Sequence, residues 1–384
     1  MSAAPQVVVA GHVCIDVIPH LDGPVDLSPG ALTRVGPAAL SGGGAVANTG
    51  VALHRLGVPV RLVGRVGDDL FGGALLDVLR AHDPALADAM VVAPGEATSY
   101  SLVISPPGVD RSFLHCPGAN DTFSARDVRV ERLRGARLLH FGYPPIMRRM
   151  CEDDGAELQR MFAAVRAAGM RTSLDLCRPD PRSAAGALDW GALLAATLPL
   201  VDVFAPSADE LLYMLDRPLH DALEAGAAPA SIIDGALLRG LAERLLALGP
   251  ALVAIKLGDR GLYLRTAAGA ERIASFCAQL ELDAAVWRDR EVLSPCFVPR
   301  RVAGTTGSGD CTIAGLLAAL LRGEGPVQAA TSATAVGACS VEQPGATDGI
   351  VPWAQVAERV AGGWSRAPVG PELHAIRLTE HAAT

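Results

Sequence analysis

The sequence is poor in aromatic side chains and in charge, at 4% and 19% of its 384 residues. Low charge together with 50% hydrophobic residues excludes an extended, self-repelling chain and predicts a sizeable buried core. A basic excess is also missing: 33 Lys plus Arg stand against 41 Asp plus Glu, for a net charge of −8. A general nucleic-acid or anionic-membrane binder carries the opposite balance. A small anionic ligand stays open, because a few backbone N–H groups hold one without net positive charge. The eight cysteines are Cys14, Cys116, Cys151, Cys177, Cys277, Cys296, Cys311 and Cys339, and none pairs at C-x-x-C spacing. That argues against a structural zinc site and for reduced, mostly buried thiols. The first apolar run, Val7 to Ala10, has no basic residue before it and is too short for a signal peptide or a membrane span. The expectation is a soluble, cytoplasmic protein.

What is present is a rhythm. Gln6 to Gly11 is a short β-branched run closed by glycine, and similar runs recur at Val60–Val63, Leu138–Phe141, Thr172–Leu174, Val201–Phe204 and Leu252–Ile255. Helical stretches lie between most of them. Gly235 to Leu248 is one, with Leu237, Leu241, Leu245 and Leu248 on one face, Asp234 as N-cap and Gly249 after its end. Strands alternating with helices predict βαβ units, hence a mostly parallel sheet with helices on both faces.

Two segments break the rhythm. Residues 13–40 hold several Pro and Gly, and residues 98–120 alternate like strands around the turn Pro106-Pro107-Gly108. Both read as a small β-sheet off the main body, either a lid over a ligand site or a plain surface hairpin. The stretch Leu219 to Ser231 reads as an Ala/Pro-rich loop, Phe276 to Arg301 as irregular, and residues 365–384 as a surface tail.

Gly304-Thr-Thr-Gly-Ser-Gly-Asp310 precedes an amphipathic helix offering Ile313, Leu316, Leu317 and Leu320 to the core. The first N–H groups of a helix lack internal partners, and the helix dipole favours negative charge there. Glycines let a ligand approach the main chain. This is an anion hole, and no Lys-Ser/Thr follows it as in a Walker A loop. Asp310 beside it is either a helix cap or a base that takes a proton from a hydroxyl attacking phosphate. A second run, Ser41-Gly-Gly-Gly-Ala-Val-Ala-Asn48, turns on glycines into another helix. Its Asn48 amide suits sugar hydroxyls, or bonds locally to backbone.

Taken together with Gly11-His-Val-Cys-Ile-Asp16, these runs resemble the ribokinase-like, or PfkB, family of sugar and nucleoside kinases from Val7 to about Trp353. Gly304 to Asp310 fills the family's C-terminal signature. Gly43, Gly44, Asn48, Leu56 and Gly57 fill the N-terminal one, and Arg61 to Gly72 is similar to the strand and Gly-Asp-Asp turn that follow it. The resemblance implies a three-layer α/β ribokinase-like fold, a mostly parallel central sheet with a small β-sheet lid, forming a single kinase domain over 1–384. It implies ATP and Mg²⁺ as cosubstrate and metal, and a sugar or polyol as acceptor. Asp310 is then the base, with Gly307, Ser308 and Gly309 as the anion hole. Asp16, Gly43, Gly44, Asn48, Arg111 and Asn120 fall on the substrate side, with His115 a weaker candidate. Ser207, Lys256, Gly258, Gly261, Thr305 and Thr334 fall on the nucleotide side, and Glu210 on Mg²⁺ through water. Asp175 and Arg178 end another strand at the same sheet edge. Exposed lid strands suggest a homodimer.

Three departures stand out. Gly304 replaces an acid that helps form the ion site in potassium-activated members, Ser207 and Thr334 replace asparagines, and the regions after Asp216 and Phe276 are long. Two rival readings follow. Nucleoside kinases of the family stack a base on aromatic lid residues, and here the lid offers Tyr100 and Phe113. The substitutions also fit a sugar-binding regulator without turnover, although Asp310, Glu210 and the glycine hole are retained.

Overall fold

The computed structural model describes residues 4–107, 111–374 and 376. Its strands in chain order are β1 Val7–Gly11, β2 Cys14–Pro19, β3 Ala38–Gly43, β4 Val60–Val63, β5 Arg65–Gly67, β6 Val91–Ala93, β7 Tyr100–Ile104, β8 Ser112–Cys116, β9 Leu138–Gly142, β10 Arg171–Asp175, β11 Val203–Phe204, β12 Leu252–Lys256, β13 Leu262–Thr266 and β14 Glu291–Ser294. The helices are α1 Gly44–Arg55, α2 Leu70–His82, α3 Arg148–Ala167, α4 Trp190–Thr197, α5 Ala208–Leu215, α6 Arg217–Glu224, α7 Pro229–Ile232, α8 Gly235–Ala247, α9 Ala270–Leu280, α10 Ala284–Trp287, α11 Ser308–Leu321, α12 Pro326–Ser340 and α13 Trp353–Ala361.

The main sheet has the order β14-β13-β12-β11-β10-β9-β1-β4. Strands β4 to β12 in that order pair in parallel, and β13 and β14 close the far edge antiparallel. Successive strand residues face opposite sides, and both sides are covered. Val7 and Val9 pack in one core with α1, α11 and α12, and Val8 and Ala10 in the other with α3, α5 and α8. That double burial explains the continuous apolar strand runs. The three layers expected from the sequence are present.

Beneath the sheet's other end, Asp202 is fully buried and accepts from Thr172 N–H at 2.9 Å and from its hydroxyl at 3.1 Å. It also pairs with Arg272 at 2.7 Å and Arg166 at 3.3 Å. The loop between β10 and β11 is thereby tied to α3 and α9.

The expected lid is a second sheet, ordered β3-β2-β7-β8. Its register places Ser41, Asp16, Ser101 and His115 opposite one another in one row across the four strands. Directly paired residues share a face. Gly108 of the expected turn lies outside the described residues.

Several expectations are corrected. Gly42 and Gly43 belong to β3 rather than to a turn, and the helix starts at Gly44. Helix α8 has Asp234 as N-cap but buries Leu238, Leu241 and Leu245, with Leu237 at the margin. Leu219 to Ser231 is largely helical: Pro218 and Pro229 sit in the first turns of α6 and α7, where a missing N–H costs nothing. The irregular stretch contains β14, and Trp287 is buried against Phe276. The C-terminal tail is not wholly on the surface. Leu373 and Ile376 are buried, and Arg366 donates to the Pro295 carbonyl at 2.7 Å; residues 377–384 lie outside the described ones. Helix α11 is buried on nearly every side rather than amphipathic. Gly315, where a methyl would press on the Ala333 backbone of α12, lets the two helices approach closely. Among the described residues, no helix is long and apolar enough to cross a membrane.

Candidate active site

In open α/β folds ligands bind beyond the carboxyl ends of the strands. Here residues following β1, β9 and β10 line a cleft of about 1340 Å³, roofed by the lid and floored by the start of α11. His12, Asp16, Asn48, Arg111, Tyr143 and Asp310 all reach it.

Asp310 lies in the first turn of α11 and is buried. Its Oδ2 accepts from Asn48 Nδ2 at 2.9 Å and from the Tyr143 hydroxyl at 2.8 Å, and its Oδ1 accepts from the Thr49 hydroxyl at 3.3 Å. Burial pushes this carboxyl above the usual range; the Asn48 and Tyr143 bonds, then the Lys256 charge and Thr49, work the other way. A buried carboxylate ringed by donors and open to a cleft is poised to accept a proton.

Helix α11 begins after Gly307, whose φ of 71° is left-handed and suits glycine. Among the described residues, the N–H groups of Gly307, Gly309 and Asp310 donate to nothing, while that of Ser308 bonds the Thr305 carbonyl at 3.3 Å. Of the expected donors Gly307–Gly309, the two glycine amides are free, and the Asp310 amide adds a third at the same helix start.

On the substrate side, Asp16 is nearly buried and takes the Cys14 thiol at 3.3 Å. Gly43 packs so closely on this carboxylate that no side chain fits there, and Gly44, with φ 81°, packs likewise on His12. His12 meets His115 of the lid at 3.3 Å between Nε2 atoms, and His115 Nδ1 reaches the Ser101 hydroxyl at 3.1 Å. Arg111 bonds the Thr305 hydroxyl at 2.5 Å, tying the lid to the loop before α11.

On the other side, Lys256 ends β12 and pairs with Asp175 at 2.5 Å. Ser207 and Glu210 form a capping box on α5: Ser207 N–H donates to Glu210 at 2.6 Å, and Glu210 N–H donates to the Ser207 hydroxyl at 3.2 Å. Gly258 and Gly261, both at positive φ, form the turn between β12 and β13.

Two sequence candidates are not at the site. Asn120 is fully buried and bonds both the N–H and the C=O of Val13, which pins the lid's root instead of touching a ligand. Thr334 is buried in α12, its hydroxyl bonded to Ser294 at 2.9 Å and to helix carbonyls. Arg178 is exposed and pairs with Glu224 at 2.8 Å. That guanidinium also fills the space among Asp209, His220 and Glu224, which otherwise have the donor set of a metal site.

The sequence reading missed Thr49 and Tyr143. Tyr143 follows β9 in the left-handed region (φ 69°, ψ 39°) and donates its N–H to the Asp175 carbonyl at 3.3 Å. A tyrosine there costs of order 1–3 kcal/mol, and such strain is retained where the surroundings over-determine it. The legible signal was its place just past the carboxyl end of a buried strand.

Two buried carboxylates, Asp175 and Asp310, and the half-buried Glu210 face one ammonium, Lys256. Asp175 Oδ2 is buried without a partner. The all-oxygen donor set and its surplus of negative charge fit a hard divalent cation such as Mg²⁺.

Comparison with known proteins bears on family and fold. The pfkB family carbohydrate kinase profile matches residues 4–354. A rice fructokinase-2 is 28% identical over 47% of this chain, and the match spans about half of that protein's length, 50%. An uncharacterised sugar kinase of Archaeoglobus fulgidus is 24% identical over 78% of this chain and 98% of its own. Among solved structures, Arabidopsis thaliana ribokinase complexed with ribose and ATP superposes with a TM-score of 0.69 at 19% identity, covering 93% of this chain and 98% of its own. With both glycine signatures converging on one cleft and the family profile running through nearly the whole sequence, this chain belongs to the pfkB family of carbohydrate kinases.

Proposed function

We propose that this protein transfers the γ-phosphoryl group of ATP to a hydroxyl of a carbohydrate or related polyol. The observation that carries the reading is Asp310: one buried carboxylate facing the cleft, with the unpartnered Gly309 and Asp310 amides beside it. The acceptor lies between Asp16 and Asp310. Asp310 takes the hydroxyl proton as the oxygen attacks phosphorus, and the amides meet the charge spreading onto the phosphoryl oxygens. Asp16, with the Gly43–Gly44 backbone, receives the acceptor's other hydroxyls. Arg111 latches the lid to Thr305 and so excludes water, whose phosphorylation is the competing reaction. Gly258 and Gly261 shape the nucleotide side. Glu210 holds Mg²⁺ through water, with the Ser207 cap orienting the carboxylate. Mg²⁺ when bound neutralises phosphate charge. Lid strand β8 exposes Phe113 and Leu114, an apolar edge suited to pairing with a second copy.

One feature favours a second acceptor class. The outer cleft wall carries Pro145, Ile146, Ala185 and Leu188, with Phe113 and Leu114 opposite, and the cleft exceeds the needs of a single sugar ring. An apolar appendage on the sugar, such as a nucleobase, fits there.

The deciding experiment is ADP release from Mg-ATP in the presence of sugars, polyols and nucleosides. Turnover well above the ATPase background with a free sugar or polyol is expected. Turnover with nucleosides alone would favour the second class, and saturable sugar binding without ADP would make the protein a regulator. Tyr143→Phe is expected to lower kcat on the order of tenfold, about the value of one hydrogen bond to a charged group. Losing that bond favours protonated Asp310, so the acid limb of the kcat–pH profile should move to higher pH. An unmoved limb would make the phenol a packing group only.

A further inference from the structure

Of the 33 lysine and arginine residues, a single one is lysine, Lys256. A chain that uses arginine at every other such position departs from its habit here. Arginine presents a wide planar fork, whereas lysine presents a compact point charge with three donors. The surroundings explain the difference.

Lys256 N–H donates to the Pro206 carbonyl at 2.9 Å, and its backbone bridges to Ser207. The side chain therefore starts beside the capping box of Glu210. It then runs along the first turn of α11: a β-carbon placed on Gly309 would lie 3.5 Å from its Cδ and 3.8 Å from its Nζ. The ammonium is thus delivered to the glycine whose amide is free. Its side chain is 12% exposed, so most of it is shielded from bulk water.

The Lys256–Asp175 pair is not self-contained. Among the described residues, Asp175 is the one acceptor for Nζ, so two of the three ammonium donors have no partner. Asp175 Oδ2 is likewise buried and unpaired. A buried pair serving stability alone needs its remaining donors and lone pairs satisfied, because unsatisfied ones cost more than the attraction returns. Burial opposes the charge on Lys256, and Asp175, Glu210 and Asp310 outweigh it, so the group is held as ammonium.

We propose that Lys256 is a catalytic residue: its ammonium, aimed by Asp175, donates to the phosphoryl group in transit beside the Gly309 amide. This rests on the kinase reading above. In the transfer, the acceptor oxygen bonds to the γ-phosphorus, the bond from that phosphorus to the β,γ-bridging oxygen breaks, and ADP leaves. The hydroxyl proton goes to Asp310. Lys256 gives up no proton; it supplies fixed positive charge where the phosphoryl oxygens pass. Arginine's planar fork would spread this charge over several donors instead of presenting one compact point charge.

A single lysine makes the test direct. Protein grown on lysine carrying ¹³C at Cε shows one lysine side-chain resonance, that of Lys256. Saturation with Mg²⁺ and β,γ-methylene-ATP is expected to shift it, and ADP is expected to shift it much less. A resonance that stays within its linewidth while calorimetry shows the analogue bound would overturn the inference and leave the kinase reading intact. A wild-type protein that binds no nucleotide would instead remove both. In turnover, Lys256→Met and Lys256→Arg should each lose about 10²–10³-fold in kcat, with the KM for the acceptor within threefold of wild type. Retention of kcat within threefold by Lys256→Arg would also overturn it. The resonance experiment uses the wild-type chain, so a variant that fails to fold does not spare the proposal.

Discussion

Asp310→Asn is expected to lower kcat by about 10²–10⁴-fold, the span a positioned general base contributes, while the KM for ATP stays near the wild-type value. The amide keeps the shape and still accepts from Tyr143 and Asn48, so the geometry survives and the proton acceptor does not. Burial pushes the wild-type carboxyl upward, so replacing it by a neutral isostere relieves a desolvation cost. The melting temperature of the variant should therefore hold or rise, as when function has been kept at the expense of stability. The same shift gives the wild-type pH profile its direction. Asp310 must be ionised to take a proton, so kcat falls as the pH drops through its raised pKa. That decline should begin above the value of about 4 expected of an ordinary carboxylate. ADP release in single-turnover and steady-state modes checks the kinetic outcomes, and calorimetry checks the melting temperature. A variant with near-normal kcat would remove Asp310 from the base role.

The largest expected loss of stability lies at the opposite end of the sheet. Asp202→Ala strips the carboxylate partner from Arg272 and Arg166 and leaves the buried Thr172 N–H without its acceptor, while the Thr172 hydroxyl keeps the Leu200 carbonyl. Removing one member of a buried, hydrogen-bonded ion network costs about 3–5 kcal/mol. For a chain of this length that corresponds to roughly 4–6 °C in melting temperature. Asp202 is far from the cleft in function, so kcat at 25 °C should stay within about twofold. Calorimetry and ADP release on one preparation separate the two effects. An unchanged melting temperature would mean that water replaces the carboxylate freely.

Features written in local sequence were read correctly. The buried strands announce themselves through unbroken β-branched runs, because a strand covered on both faces has no polar side to show. The Asp234 cap of α8 and the glycines before α11 depend on neighbours within four residues. The errors have equally local causes. Ala and Pro between 219 and 231 look like loop composition, yet alanine favours helices and proline is tolerated in a first turn. Edge strand β14 shows only a short apolar pair, Val292 and Leu293, between charged and polar ends.

The site divides along the same line. Sequence alone determined that a glycine bend carries free amides and an acid at the start of one helix, because those groups are joined by a few bonds. Only the tertiary structure decided what surrounds that acid. Asn48 and Tyr143 stand 262 and 167 residues from Asp310, and Asp175 stands 81 residues from Lys256. The same packing turned Asn120 and Thr334 inward, where their polar groups satisfy the main chain and leave nothing for a ligand. Periodicity and turn chemistry act over one or two turns of chain. Which distant side chains share a buried pocket is settled by how two sheets and their helices close on each other, and no spacing in the sequence records it.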